Sequence, residues 1–169
     1  MKIAVVAHSP VMGGKVKSFD AAKTKQIAGV VEVVQIPTGV AVIADNTWAA
    51  LQGKKALQVE WDFTEGVTLN SAAQIDEFKK LAEKDGKEVA KGGDVAAAMP
   101  KAVKTITADY SVPYLAHASM EPLNCTVKIT GDKCEIWTGT QMPGGDQAAA
   151  AKILGFKPEQ VSVTTTFLG

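Results

Sequence analysis

Two histidines, two cysteines and a set of cations made up only of lysine leave this 169-residue chain few ways to do chemistry. His117 and Glu121 stand at i and i+4, a spacing that on a helix would put an imidazole and a carboxylate on one face. Their segment, Tyr114-Leu115-Ala116-His117-Ala118-Ser119-Met120-Glu121-Pro122, reads as extended instead. No third ligand lies at a spacing that would complete a zinc site. Pairing Cys125 with His117 as nucleophile and base fares no better, because a cysteine facing inward from a strand is inert. Gly13-Gly14-Lys15 lacks the upstream glycine and the following Ser or Thr of a phosphate loop, and it precedes a strand rather than a helix. Gly144-Gly145, ahead of a helix expected to begin near Asp146, permits an anion to approach a helix N-terminus. Gln141, within Thr138-Gly139-Thr140-Gln141-Met142-Pro143, is a neutral amide that on its own reads as a surface loop side chain.

Composition narrows the class further. Acidic and basic residues balance at 18 each, so no net field attracts nucleic acid or an anionic membrane surface. The chain has no arginine, the usual bidentate clamp for phosphate, and is therefore a poor self-contained nucleotide or nucleic-acid site. Hydrophobic content of 46% fits a soluble globular fold of one domain or two small ones. No apolar run reaches the ~20 residues of a membrane span. The opening run, residues 1–8, is too short before Pro10 for a signal peptide, and the compartment stays open.

The elements that must position these residues are legible in part. Residues 3–8 and 15–19, with Pro10 and Gly13-Gly14 between them, form a strand–turn–strand signal. Asp20 is expected to cap a short helix over 21–27, ahead of Gly29. Residues 30–36 are a β-branched strand closed by Pro37. Residues 40–44, apolar on both sides, predict a central strand covered on both faces. Asp45 or Asn46 begins a helix of about ten residues whose Ala49, Ala50 and Gly53 permit close approach to a sheet. Residues 57–61 alternate as a half-buried strand. Ser71-Ala72-Ala73-Gln74 fits a capping box, and the helix behind it carries Ile75, Phe78, Leu81 and Ala82 on one face. Asp94 caps a short helix over 95–99, and residues 103–110 read as a strand crossing a domain boundary. Thr130-Gly131-Asp132-Lys133 predicts a tight type II′ hairpin that pairs Ile129 with Cys134, Val127 with Ile136 and Cys125 with Thr138. In that register the two sulfurs share a face roughly 13 Å apart along the ladder, too far for a disulfide. Both are expected as free, core-facing thiols. A helix over 148–154, stopped by Gly155 and Pro158, precedes a strand over 161–167.

Together, several of these segments resemble, in family order, the large molybdopterin-binding subunit of the xanthine dehydrogenase and aldehyde oxidase family. The branch they resemble most is that of the isoquinoline 1-oxidoreductase beta subunit and its aldehyde dehydrogenase relatives. In that branch a hairpin with a Ser-Pro turn and a downstream Gly-Gly opens an α/β hammerhead domain; here His8-Ser9-Pro10 and Gly13-Gly14-Lys15-Val16 look like it. Val42-Ile43-Ala44-Asp45-Asn46-Thr47-Trp48-Ala49-Ala50 leading to Ala56-Leu57-Gln58-Val59-Glu60-Trp61 looks like the family's strand–helix–strand. Gly93-Asp94-Val95 fits its glycine-aspartate before a small-residue helix. Residues 110–122 look like the opening of the molybdenum-binding region, and residues 138–143 like its next element.

The resemblance implies an α+β fold: a hammerhead-like domain over residues 1–106, then the first β-rich unit of a molybdopterin-binding domain over 107–169. It implies a piece of an oxidoreductase subunit that hydroxylates a carbon beside nitrogen in an N-heterocycle, or oxidises an aldehyde, with water as oxygen donor. Gln141 would lie beside the molybdenum and donate its amide to an oxo ligand, a contact that polarises without adding charge. Gly169 would be the first or second residue of a glycine-rich cofactor loop. The family's catalytic glutamate falls beyond this chain, so no residue here is assigned a catalytic role. Molybdopterin, expected as its cytosine dinucleotide, would be held mostly by the remainder of the same subunit, and none is expected on these 169 residues alone. A small iron–sulfur subunit would take the electrons, in keeping with the lack of a cysteine cluster. His117 and Glu121 would shape the wall near the cofactor or substrate channel, or serve only in structural hydrogen bonding. A different class stays open beside this one: a non-catalytic α/β binding or assembly module with a hammerhead-like fold. The enzyme reading alone predicts uncovered apolar surface, which can drive dimerisation of the isolated piece.

Overall fold

The computed structural model describes residues 1–168 and divides them between two compact units that meet in sequence at Thr105 and Ile106. The first unit holds two small sheets and four α-helices. Strands β1 (Ile3–His8), β2 (Lys15–Asp20), β3 (Val30–Ile36), β4 (Gly39–Ala44) and β5 (Gln58–Asp62) are joined by α1 (Ala22–Lys25) and α2 (Thr47–Ala56). Helices α3 (Ser71–Ala82) and α4 (Val95–Ala98) follow.

The residues of β1 and β2 read as one strand–turn–strand, but the two strands do not pair with each other. β1 lies antiparallel to β4 in the sheet β1-β4-β3, while β2 pairs with β5 in a separate ribbon. The turn between them is instead held locally, with the Ser9 hydroxyl accepting from the Val11 amide. Central strand β4 is buried along most of its length, as its unbroken apolar run requires. Its cover is heavier on one face. Val40 and Val42 pack with Val16, Phe19 and Val59 from the β2–β5 ribbon, and Ala44 packs against Ala49 and Ala50 of α2. These residues share one face by strand alternation. On the other face Ala41 is also buried, at 7% exposed, while Val34 opposite it on β3 is 37% exposed, so the expected cover on both faces thins towards β3.

Helix α2 begins where Asn46 accepts the Ala49 amide at 2.9 Å, satisfying a donor that a helix start leaves unpaired. Its small residues let it approach the sheet until a Cβ on Gly53 would lie 2.7 Å from Val42 Cγ1. The buried Thr24 hydroxyl donates to the Gly53 carbonyl at 3.1 Å and ties α1 to α2. Helix α1 is a single turn, shorter than expected, with Asp20 accepting the Ala22 amide at 2.8 Å. At α3 the cap is Asn70, accepting from Ala73 at 3.1 Å, rather than the Ser71 capping box. No residue of α3 is buried: Phe78 and Leu81 are half exposed. Asp94 caps α4 as its position predicts.

Residues 102–124 form neither helix nor strand, which corrects the expected strand over 103–110. Val103, Ile106 and Tyr110 carry strand propensity but lie exposed. Propensity without a partner edge to accept the backbone hydrogen bonds does not make a strand.

The second unit closes around β6 (Cys125–Thr130), β7 (Lys133–Thr138), α5 (Pro143–Leu154) and β8 (Val161–Thr165). β6 and β7 form the expected hairpin in the expected register. Gly131 takes φ +60° at the first central position, as a II′ turn demands. β8 adds parallel to β7, which requires a crossover, and α5 supplies it. Cys134, Ile136, Ala151 and Val161 form this unit's core. The cover stops at β7, for every residue of β6 is exposed. Cys125 is therefore an exposed thiol and Cys134 a buried one, both unpaired, correcting the expectation that both face the core. Helix α5 also starts earlier than expected, at Pro143, a residue pre-set for the first helical position, so Gly144 and Gly145 lie inside its first turn. Gly155 ends it at φ +69°. Among the described residues no helix is long and apolar enough to cross a membrane.

Candidate functional site

One end of the β6-β7-β8 sheet gathers the residues that matter. Because β8 runs parallel to β7 and β6 antiparallel, the end of β7, the end of β8 and the start of β6 share an edge. The N-terminus of α5 follows directly from β7, so it opens at the same edge. In α/β units this crevice beyond the carboxyl ends of parallel strands is where ligands bind.

Hydrogen bonds tie the segments together there. The Thr138 hydroxyl donates to the Asn124 carbonyl at 2.9 Å, and the Thr166 amide donates to the Thr138 carbonyl at 3.0 Å. Asn124 in turn donates its side-chain amide to the Pro122 carbonyl at 2.8 Å and to Glu121 Oε1 at 3.3 Å. The Ser119 hydroxyl donates to the Glu121 carbonyl at 3.0 Å. A shallow groove results, lined by Glu121, Pro122, Leu123, Asn124, Gly139 and the pair Phe167 and Leu168. Gly139 is packed so closely that a Cβ there would meet Leu168 Cδ2 at 2.9 Å and the Phe167 carbonyl oxygen at 3.2 Å. Only a residue without a side chain passes this point undisturbed.

Gln141 lies in the short bend between β7 and α5, with its side chain exposed. The bend is closed by the Thr140 hydroxyl, which accepts the Met142 amide at 3.0 Å. Beyond it, α5 starts without a side-chain cap, leaving the first-turn amides of Gly144 and Gly145 without intrahelical acceptors. Asp146 sits in that first turn, where its charge complements the helix dipole. Beside that carboxylate, the bend offers neutral hydrogen-bond donors, a side-chain amide and backbone N–H.

Gly169, the other expected cofactor contact, lies outside the described residues. His117 and Glu121 belong to the segment without regular structure. Glu121 lines the groove and accepts from Asn124; His117 is exposed and is not among the groove residues. Residue types alone do not reveal Asn124, Gly139 and Leu168, which meet only through folding. Among the described residues no group of three or more His, Cys, Asp or Glu is placed to hold a metal ion.

The titratable groups held away from their ordinary values lie elsewhere, on the β2–β5 ribbon. Hydrogen bonding to Glu65, then its charge, raises Lys15, and Glu60 does the same for Lys17. Hydrogen bonds from Lys17 and Ser18 lower Glu60, and those from Thr64 lower Asp62. The pairs are exposed, with Lys15–Glu65 at 2.5 Å and Lys17–Glu60 at 2.6 Å, as expected of a solvated strand face rather than a reactive centre.

Known proteins share the fold of this chain. Residues 78–169, more than half of the chain, match the family model of the molybdopterin cofactor-binding domain. The chain is similar to the beta subunit of isoquinoline 1-oxidoreductase from Brevundimonas diminuta, at 27% identity over 180 residues, covering 100% of this chain and 23% of that protein. A nicotinate dehydrogenase subunit from Pseudomonas putida is 25% identical over 152 residues, covering 90% of this chain and 13% of that protein. The chain thus spans under a quarter of the length of the curated relatives it matches. Among solved structures, quinoline 2-oxidoreductase from Pseudomonas putida 86 superimposes with a TM-score of 0.65 at 16% identity, over 99% of this chain and 27% of that one. Aldehyde oxidoreductase from Desulfovibrio gigas gives 0.66 at 15% identity, over 96% and 23%. At such identities the superpositions speak to the fold alone.

Proposed function

This chain belongs to the molybdopterin cofactor-binding domain family, and we propose that it forms part of a molybdenum hydroxylase subunit acting on an N-heterocycle or an aldehyde. The observation that carries the proposal is Gln141, an exposed neutral donor held at the edge where parallel strands end, inside the family match. The donor set fits the group. A metal-bearing pterin is anionic and rich in acceptors, and the bend offers it a side-chain amide and free helix N–H groups. Gly139 lets backbone come close without a side chain in the way.

When bound, molybdopterin supplies the redox centre that takes two electrons from the substrate, the added oxygen coming from water. This chain's own residues have a narrower task. Gln141 donates a hydrogen bond toward the cofactor's metal end; Gly139 permits close approach; the Asn124 network holds the groove wall. By the same reading Gly169 begins a further cofactor contact. Residues 1–106 form a hammerhead-like domain and 107–169 open the cofactor-binding domain, although the family match already begins at residue 78. The pterin is taken to be the cytosine dinucleotide form, and electrons to pass to an iron–sulfur partner subunit. The names of the isoquinoline and nicotinate relatives support the heterocycle arm, and that of the structural neighbour from Desulfovibrio gigas supports the aldehyde arm.

The test is to purify the native protein containing this sequence, with its partners, and supply quinoline-type heterocycles and aldehydes in 18O-water with an artificial electron acceptor. Stoichiometric molybdenum and one 18O atom in the product are expected. A molybdenum-free preparation, or a product whose oxygen comes from dioxygen, would refute the reading.

A further inference from the structure

The bend that carries Gln141 is pinned on both sides. Upstream, Thr138 is held through its hydroxyl to Asn124 and through its carbonyl to the Thr166 amide, and Gly139 is wedged against Leu168. Downstream, Pro143 starts α5 with its φ set by the ring. The freedom left to Gln141 resides in the torsions of Thr140, Gln141 and Met142. One contact removes much of it: the Thr140 hydroxyl accepts the Met142 amide at 3.0 Å, closing a turn over Gln141. Thr140 is half-buried while Gln141 is exposed, so the two neighbours have different duties. The threonine's polar group is used within the loop, and the glutamine's is left for a partner.

We propose that Thr140 is a positioning residue for Gln141, its side-chain turn holding the amide in the orientation that meets the cofactor. The proposal rests on the reading of Gln141 as a cofactor contact. Donation by a preorganised group is effective because no loop ordering has to occur when the partner arrives. A loop that must find its turn at each encounter loses that advantage, by the strength of one ordinary hydrogen bond. Serine keeps the accepting oxygen; valine keeps the shape and removes it.

The experiment uses the intact subunit with its cofactor, in the variants Thr140→Val, Thr140→Ser and Gln141→Ala. Two quantities are read: amide hydrogen exchange over residues 139–142, and kcat separately from KM. In Thr140→Val, exchange at Met142 should quicken and kcat should fall, each by roughly fivefold, with KM unchanged. Thr140→Ser should restore both. Exchange and kcat both at wild-type level in Thr140→Val would overturn the proposal. So would equal losses in the serine and valine variants, which would mean that bulk rather than the oxygen matters. Gln141→Ala separates the two readings. If it leaves turnover intact, the assignment of Gln141 fails. If it abolishes turnover while Thr140→Val does not lower it, only the role of Thr140 fails.

Discussion

Gly53→Ala offers the sharpest test of how the first unit is packed, because two physical terms pull in opposite directions. Gly53 lies in the second half of α2, inside a helix where alanine is favoured over glycine by about 1 kcal/mol on propensity. Propensity alone therefore predicts a more stable protein. The structure predicts the reverse. An added Cβ would lie 2.7 Å from Val42 Cγ1, 3.0 Å from Val30 Cγ2 and 3.3 Å from Thr24 Cγ2, against ~3.5–4.0 Å for comfortable carbon contacts. All three neighbours are β-branched with few rotamers to retreat into, and Val42 and Thr24 are fully buried. Overpacking at such a site costs up to about 3 kcal/mol, so the net loss should be ~2 kcal/mol once the propensity gain is subtracted. For a unit of this size that lowers the melting temperature by roughly 8 °C. The comparison variant is Gly144→Ala in the first turn of α5, where a Cβ meets nothing within 4 Å; it should gain ~0.5 kcal/mol. Urea titration followed by circular dichroism measures both. A Gly53→Ala protein as stable as its parent, or more so, would refute the close approach of α2 to β4.

Other outcomes follow from single contacts. Asn46→Ala should cost about 1 kcal/mol of global stability, since it uncaps a helix with buried residues. Asn70→Ala, uncapping a helix with none, should reduce helicity by circular dichroism with little change in the urea midpoint. Cys125 should react with a thiol reagent in native buffer, and Cys134, 1% exposed, only after denaturation. The depressed Glu60 and Asp62 contribute stability that is present at neutral pH and lost as pH falls through their folded values. The raised Lys15 and Lys17 contribute stability lost only as pH rises through folded values above 10.5. The urea midpoint should thus be flat around neutrality and decline at both extremes. Glu60→Gln should flatten part of the acid decline, and added salt should shrink the whole effect.

The elements whose cause is local can be read from residues alone. Asn46 ahead of a helical run caps α2, the unbroken apolar run of β4 makes it central, and Gly131 sets the β6–β7 hairpin together with its register. Gln141 stands out by family resemblance rather than by its own chemistry. The turn that holds it does have a local signal, a threonine two residues before Met142 at a helix start. What folding alone decided is everything that depends on a partner distant in sequence. β1 pairs with β4 rather than β2, because backbone hydrogen bonds go to whichever edge also buries the apolar face. Residues 103–110 have the propensity of a strand but pair with no sheet edge, so they are not one. Cys125 and Cys134 share a face by alternation, yet α5 covers β7 and leaves β6 bare, so one thiol is exposed and the other buried. Asn124, Gly139 and Leu168 converge beside the Gln141 bend only because β8 returns parallel to β7. Turn chemistry and caps act over a few residues and can be read in order along a chain; pairing, burial and convergence are set by three-dimensional neighbours and cannot.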